Sequence, residues 1–498
     1  MLELVKKSLC GLVLAGGALS AGAFSLIGPF DTWQVNTIGY QLGGDIGGPQ
    51  NLGEEYRWNT PVIVYGFDSS FLDYFGARGV EAIERQIENL NKLPAFSEMS
   101  RDLSEFPIDT RRFNYKATAL GIVDLGSYAL ASMVEQLGLA ASERYVWTLR
   151  SRTATPDPLI FNYVTIKRNF DPITYEPSSY VNGTLYTYQI MVTGPGPIVE
   201  AVEVVVDPLA PSVTAVSALA DGGGSMDLRG TITLKSDGMF YTGLTRDDVG
   251  GLRYLYSKSN INTENLATNV VGGAFGGGGG TPLSGDGGSF SWWTPVSGGT
   301  PQQGGGGAAV GGGGATGGTG TNGVAVVVTA PRPGVDKLRF VRSSFDSAYG
   351  QFVTNFVVYT DTFLTNSTLR QQVVSKVVVQ PDIVFSASDL GVNAAGVPLR
   401  LTRTAGFVNN SGITGIGGRA GLNGPGQISG LAQITFSKIG PWFFNVSETT
   451  EETATKGFAW GSFDGSTNAP VVYPSGTSIR DLEARLFQGG QSPFAIGQ

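Results

Sequence analysis

The sequence predicts an α+β protein: a mixed N-terminal domain, then a glycine-rich linker, then a β-rich, sandwich-like C-terminal domain. Three observations carry this. Helical periodicity recurs before residue 257. Period-two alternation dominates from Leu159 to about Val206 and returns after Pro333. Between them Gly272 to Gly323 is low in complexity, with GGAFGGGGG, QQGGGGAAVGGGG and GATGGTGTNG.

The first 23 residues have the layout of a secretory signal peptide. Lys6 and Lys7 precede an apolar run from Leu9 to Leu19, and Ala21-Gly22-Ala23 offers small residues for cleavage before Phe24. The run is too short to span a bilayer comfortably, and no later segment has 18 uninterrupted apolar residues. Secretion from a bacterial cell, to its surface or to the medium, is therefore expected. Residues 24–271 are assigned to the mixed domain, beginning with a short strand in PVIVYGFDSSF, Pro61 to Phe71. Val80, Ile83, Ile87 and Leu90 then share one helical face up to Leu93, where Pro94 stops the helix. A second helix is predicted from about Ser127 to Leu137, with Leu130 and Val134 inward and Gly138 after its end.

Alternation over residues 151–238 marks a β insertion. Its turn DGGGSMD, Asp221 to Asp227, is a calcium candidate by composition, but it lacks the spacing of an EF-hand loop and reads first as a solvated turn. The third helix lies in GLTRDDVGGLRYLY. Thr245 and Asp248 form a capping box, Leu244 and Val249 a hydrophobic staple, and Gly250-Gly251 implies close backbone approach by a neighbour. The linker is placed at 272–330 and the second domain at 331–498, with strands in LRFVR, GQFVTNFVVYTDTF, QQVVSKVVVQPDIVF and AQITFSK and a terminal helix over Ser478 to Phe487.

Composition removes much chemistry. The chain has no histidine, and its one cysteine, Cys10, lies in the signal segment. Imidazole bases, thiolate nucleophiles, Ser-His-Asp arrangements and zinc, copper or haem ligation by those side chains are thereby excluded, which leaves oxygen-coordinated ions such as calcium as the metals in view. A formal charge of −8 and the lack of a basic stripe with interleaved aromatics argue against nucleic acid as a partner.

The order of pieces resembles a matrixin-type metalloprotease of the metzincin group: the strand ending YGFDSSF, the helix from Val80 to Leu93, the helix ending Leu137-Gly138-Leu139, and LTRDDVGGLRYLY. If Leu137-Gly138-Leu139 stands where the family's Leu-Gly-Leu follows HExxH, the resemblance puts the metal histidines at Ala131, Glu135 and Ala141 and the catalytic glutamate at Ser132. Every position departs from the pattern, which implies a protease-like scaffold with a degenerate metal site and no catalytic residues. The chain also resembles a group of large, uncharacterised secreted bacterial proteins with phrases close to YGFDSSFLDYFG, FDPITYEPSSYVNGTLY and FYTGLTRDDVGGLRYLY, which implies export.

Three functions are expected on these grounds. The first is a non-catalytic exported protein for binding or self-assembly, contacting the cell surface, polysaccharide or its own copies. Trp292 and Trp293, in SFSWWTP, and Tyr186 and Tyr188, on one strand face, are its candidate binding residues. Cross-strand packing explains the two tyrosines equally well. The second is a carboxylate hydrolase of polysaccharide, for which Glu54-Glu55, Asp68, Asp73 and Asp247-Asp248 are candidates by residue type. The third is a surface filament or layer subunit, which differs from simple binding by concentration-dependent assembly.

Overall fold

The structure is a computed structural model that describes residues 22–38, 45–157, 160–193, 198–207, 209, 215–219, 224–226, 232–234, 237–267, 269–272, 318–319, 325–391, 399–410, 424–438 and 459–474. Trp292 and Trp293, most of the glycine-rich tract, both aspartates of the DGGGSMD turn, residues 1–21 and the terminal helix expected at 478–487 lie outside them.

The described residues form four α-helices: α1 (Ser69–Asn91), α2 (Tyr115–Leu120), α3 (Leu125–Gln136) and α4 (Arg246–Tyr256). Strands dominate the rest, so the class is α+β and rich in β. α1 starts earlier than its periodicity suggests. Asp68 caps it by accepting from the Phe71 N–H at 3.0 Å, and the opening turns bury Phe71 and Phe75. Gly76, at φ 60°, then breaks the helix direction, a conformation that glycine adopts at no steric cost. The expected face of Val80, Ile83, Ile87 and Leu90 begins after that break and is buried.

The central sheet explains how the chain is joined. Its strand order is Arg339–Arg342, Val62–Phe67, Ile383–Ser388, Ala432–Ser437, Leu401–Arg403. The first four are mutually parallel and the last is antiparallel. Val62–Phe67 carries apolar side chains on both faces, as a central strand in a parallel sheet requires. Phe67, Phe71, Phe385 and Phe436 meet beneath it, with Phe67 and Phe385 stacked at 5.2 Å.

This corrects the expected domain boundary. The glycine-rich segment at 272–330 does not separate two sheets, because the Val62–Phe67 strand has only C-terminal strands as neighbours. A separate sandwich at 331–498 is corrected with it: described strands from that range complete the central sheet, and the long hairpin Asn355–Thr365 and Thr368–Val378 pairs with Val270–Gly272. A linear reading does not show this, because strand partners are set by tertiary packing and leave no mark in local composition. Within the expected β insertion the hairpins do form, Thr148–Ala154 with Phe161–Ile166 and Thr184–Thr193 with Ile198–Val205.

α3 is buried on every side, all twelve residues of it. Such a helix must satisfy its end groups within the protein. Asp124 caps the N-terminus, accepting from the Ser127 N–H at 2.8 Å and the Ser127 hydroxyl at 2.7 Å. At the other end Trp58 Nε1 donates to the Gln136 carbonyl at 2.7 Å, the Tyr256 hydroxyl to that of Leu137 at 2.8 Å, and the Ile27 N–H to that of Gly138 at 3.0 Å. Gly138 stands at φ 105°, and a Cβ there would lie 2.5 Å from the Tyr56 carbonyl oxygen, so glycine is required.

α4 closes the same core. Both halves of its capping box form, and Val249, Leu252 and Tyr256 are buried. A Cβ on Gly250 would lie 2.2 Å from Pro172 Cβ, and one on Gly251 2.7 Å from Leu139 Cδ2. The glycine pair thus lets α4 lie directly on the Phe24–Gly28 strand and the 170–172 turn.

Candidate functional site

The helix face of α3 that carries the resemblance runs through Tyr128, Ala131, Ser132 and Glu135, which helical spacing places along one side. All four are buried. The Ser132 hydroxyl donates to the Tyr128 carbonyl at 2.8 Å, so it is spent within its own helix. Glu135 is held by Arg403, whose Nη2 donates to Oε1 at 3.0 Å while Nε donates to Oε2. The neighbouring residues of the antiparallel edge strand reach α3 as well: Arg400 Nη1 donates to the Tyr128 hydroxyl at 2.7 Å, and Gln136 Nε2 to the Thr404 carbonyl at 2.9 Å. An edge strand and two arginines therefore lie along α3, one arginine on each side of Ala131 and Ser132.

Ala131 belongs to the main core, whereas Ala141 packs with Val146, Val181, Tyr186 and Ala215 in a separate cluster. The four positions do not converge on one open space. Two alanines, a spent hydroxyl and a carboxylate engaged by a guanidinium do not form a zinc donor set. Among the described residues no three acidic side chains are placed to hold a metal ion.

The Asp247-Asp248 pair has a different use. Asp248 accepts from the Thr245 N–H at 3.1 Å and hydroxyl at 2.5 Å, and from the N–H groups of Val216 at 3.1 Å and Ser217 at 3.3 Å. Asp247 accepts from the N–H groups of Asn182 at 2.6 Å and Ala23 at 2.7 Å, with no cation beside it among the described residues. Burial pushes its carboxyl up to about 8; the two amides oppose the shift, while Asp248 and Asp171 add to it. The site joins three distant segments, and the Ala23-Phe24 bond, expected to be cut on export, is buried beside it. Cleavage at that bond would have to precede folding of this corner.

The remaining acids are dispersed. Glu54 accepts from the Asn51 N–H, Glu55 accepts from Tyr254 and Asn262, Asp68 caps α1 and Asp73 is exposed on the outer side of that helix. A cavity of about 450 Å³ lies elsewhere, between the 331–335 segment and the long hairpin. Its one acid, Asp361, is bound by Arg332 at 2.9 and 3.1 Å.

Tyr186 does not present a binding face. It is 3% exposed and packs with Ala141 and Val146, and with Val205, its partner on the paired strand. Tyr188 is half-buried with its ring 5.0 Å from that of Trp147.

Sequence reasoning alone misses Arg403 and Arg400. One signal is present: Leu401 and Arg403 share a face of their strand, so an inward leucine fixes an inward arginine, and a buried arginine requires an acid. No family model, curated protein or solved structure matches this chain.

Proposed function

We propose an exported, non-catalytic envelope or extracellular protein that binds or assembles on a metzincin-like framework whose metal positions have become part of the core. The observation that carries this reading is the Glu135–Arg403 pair. A metal site needs ligands converging on space open to substrate. Here the corresponding carboxylate is neutralised by a guanidinium from the adjoining edge strand, and its helix is buried throughout.

Further support comes from convergence. Strand Val62–Phe67 and helices α1, α3 and α4, which bear the four phrases of the resemblance, share one core containing Phe67, Ile83, Leu130 and Val249. A framework without ligands fits a scaffold that outlived, or never had, the reaction. No helix among the described residues is long and apolar enough to cross a membrane. The test is to incubate the purified chain with zinc and a peptide library. No cleavage and no stoichiometric zinc are expected; peptide cleavage abolished by a chelator overturns the proposal.

A further inference from the structure

We infer that the hairpin of Thr148–Ala154 and Phe161–Ile166, with the flanking Lys167 and Arg168, is a binding surface for an acidic polysaccharide of the uronate type. This gives the proposed binding role a ligand class and rests on that role. From Arg144 to Arg168 the chain carries five basic residues and one acid, Asp157, although the whole chain is at −8. Arg144 is neutralised by Asp45 at 2.6 and 3.0 Å. None of Arg150, Arg152, Lys167 and Arg168 is in an ion pair with a carboxylate among the described residues.

Aromatic rings hold three of these cations in place. The Arg150 guanidinium lies 4.4 Å from the centre of the Trp33 ring, that of Arg152 3.8 Å from Phe161, and Lys167 Nζ 4.8 Å from Trp147. Stacking on a ring fixes a guanidinium plane and leaves its N–H edge directed at an incoming carboxylate, with less side-chain freedom to lose on binding. The Nε atoms of Arg152 and Arg168 are shielded from solvent and have no hydrogen-bond partner. Burial lowers the pKa of Arg168; Arg150 beside it adds to that effect, and Glu54 and Asp31 oppose it. Concentrated positive charge without a paired carboxylate is costly to the folded protein, and an external anion relieves it.

Half-buried Tyr163 and Tyr188 lie in the same cluster as Trp33 and Trp147 and add apolar surface beside the cations for the C–H faces of sugar rings. That combination favours a charged sugar polymer over a neutral one. Residues 144–168 are a basic stretch with interleaved aromatics, contrary to the expectation that the chain has none, so single-stranded nucleic acid is the competing polyanion that the experiment sets against the uronate.

The experiment measures binding of the mature protein to polygalacturonate, to neutral dextran and to a single-stranded DNA oligonucleotide at equal concentration of monomer units. Binding to polygalacturonate that weakens with added salt, with none to dextran, is expected. The triple variant Arg150→Gln, Arg152→Gln, Lys167→Gln should bind about tenfold more weakly or worse. If the triple variant fails to fold, Lys167→Glu alone serves, and the exposed control Arg78→Gln with Lys92→Gln should bind as the parent does. Absence of polygalacturonate binding at low salt, unchanged binding by the hairpin variants, equal loss in the control, or tighter binding to DNA overturns the inference. Failure of the non-catalytic reading is seen separately, as chelator-sensitive peptide cleavage.

Discussion

Arg403, on the antiparallel edge strand of the central sheet, engages both carboxylate oxygens of Glu135 in the fully buried helix α3, across 268 residues of sequence. The pair ties the two halves of the chain together at the place where the sequence resemblance would put a zinc ligand.

Glu135→Ala should destabilise the protein by about 3–5 kcal/mol, since Arg403 would be left buried without its counter-charge. Replacing both residues by apolar ones of similar volume should recover most of that loss. Urea unfolding of the single and double variants measures the difference; a single variant as stable as the parent would show that the pair is not closed in solution.

Gly250→Ala improves helix propensity by about 1 kcal/mol, yet should lower stability by about 1–3 kcal/mol. The added Cβ would meet Pro172 Cβ at 2.2 Å, and the overlap is with a rigid ring. Thermal unfolding decides the sign, and a raised Tm refutes the close approach.

Tyr256→Phe removes the hydroxyl that donates to the Leu137 carbonyl at 2.8 Å while leaving the ring stacked on Phe96 at 5.8 Å. A loss of about 1–3 kcal/mol is expected, the cost of an unsatisfied buried carbonyl. Hydrogen exchange should show the last turn of α3 opening more readily, a local effect that a general loss of packing would not produce.

Asp247 gives a pH dependence of defined sign. Its carboxyl is raised from 3.8 to about 8 in the folded state, so between those values the folded protein binds more protons than the unfolded chain. Stability must therefore fall as pH rises through that window, with a slope on the order of 1 kcal/mol per pH unit. Asp124, pushed up to about 6 mainly by burial, adds to the fall over the lower part of the range. In the chain that retains Ala23, Asp247→Asn keeps an oxygen to accept from Ala23 and Asn182 but cannot ionise. Denaturation midpoints from pH 5 to 8 should vary less in this variant, and an unchanged slope would assign the dependence elsewhere.

Much of the helical framework is legible in the sequence because its cause is local. Thr245 and Asp248 lie three residues apart, Gly250-Gly251 interrupts a helix that has no other reason to contain glycine, and Gly138 closes an apolar run. Each is a signal of short range with one physical meaning. The start of α1 at Ser69 is hidden because its aromatic first turns and the strand before them are both apolar, and Gly76 divides the helical pattern. Alternation places Tyr186 and Tyr188 on one strand face, but what covers that face is set by residues distant in sequence.

The sequence by itself determined the β-rich mixed class of the protein, the capping box and glycine pair of α4, the glycine that ends α3, and the histidine and cysteine chemistry it lacks, since those side chains cannot be supplied by folding. Only the tertiary structure decided that the strands after the glycine-rich tract complete the sheet begun by Val62–Phe67, and that Arg403 rather than a metal faces Glu135. Both depend on long-range packing, where a strand takes whichever neighbour buries its two faces and a buried charge takes whichever counter-charge the fold brings to it.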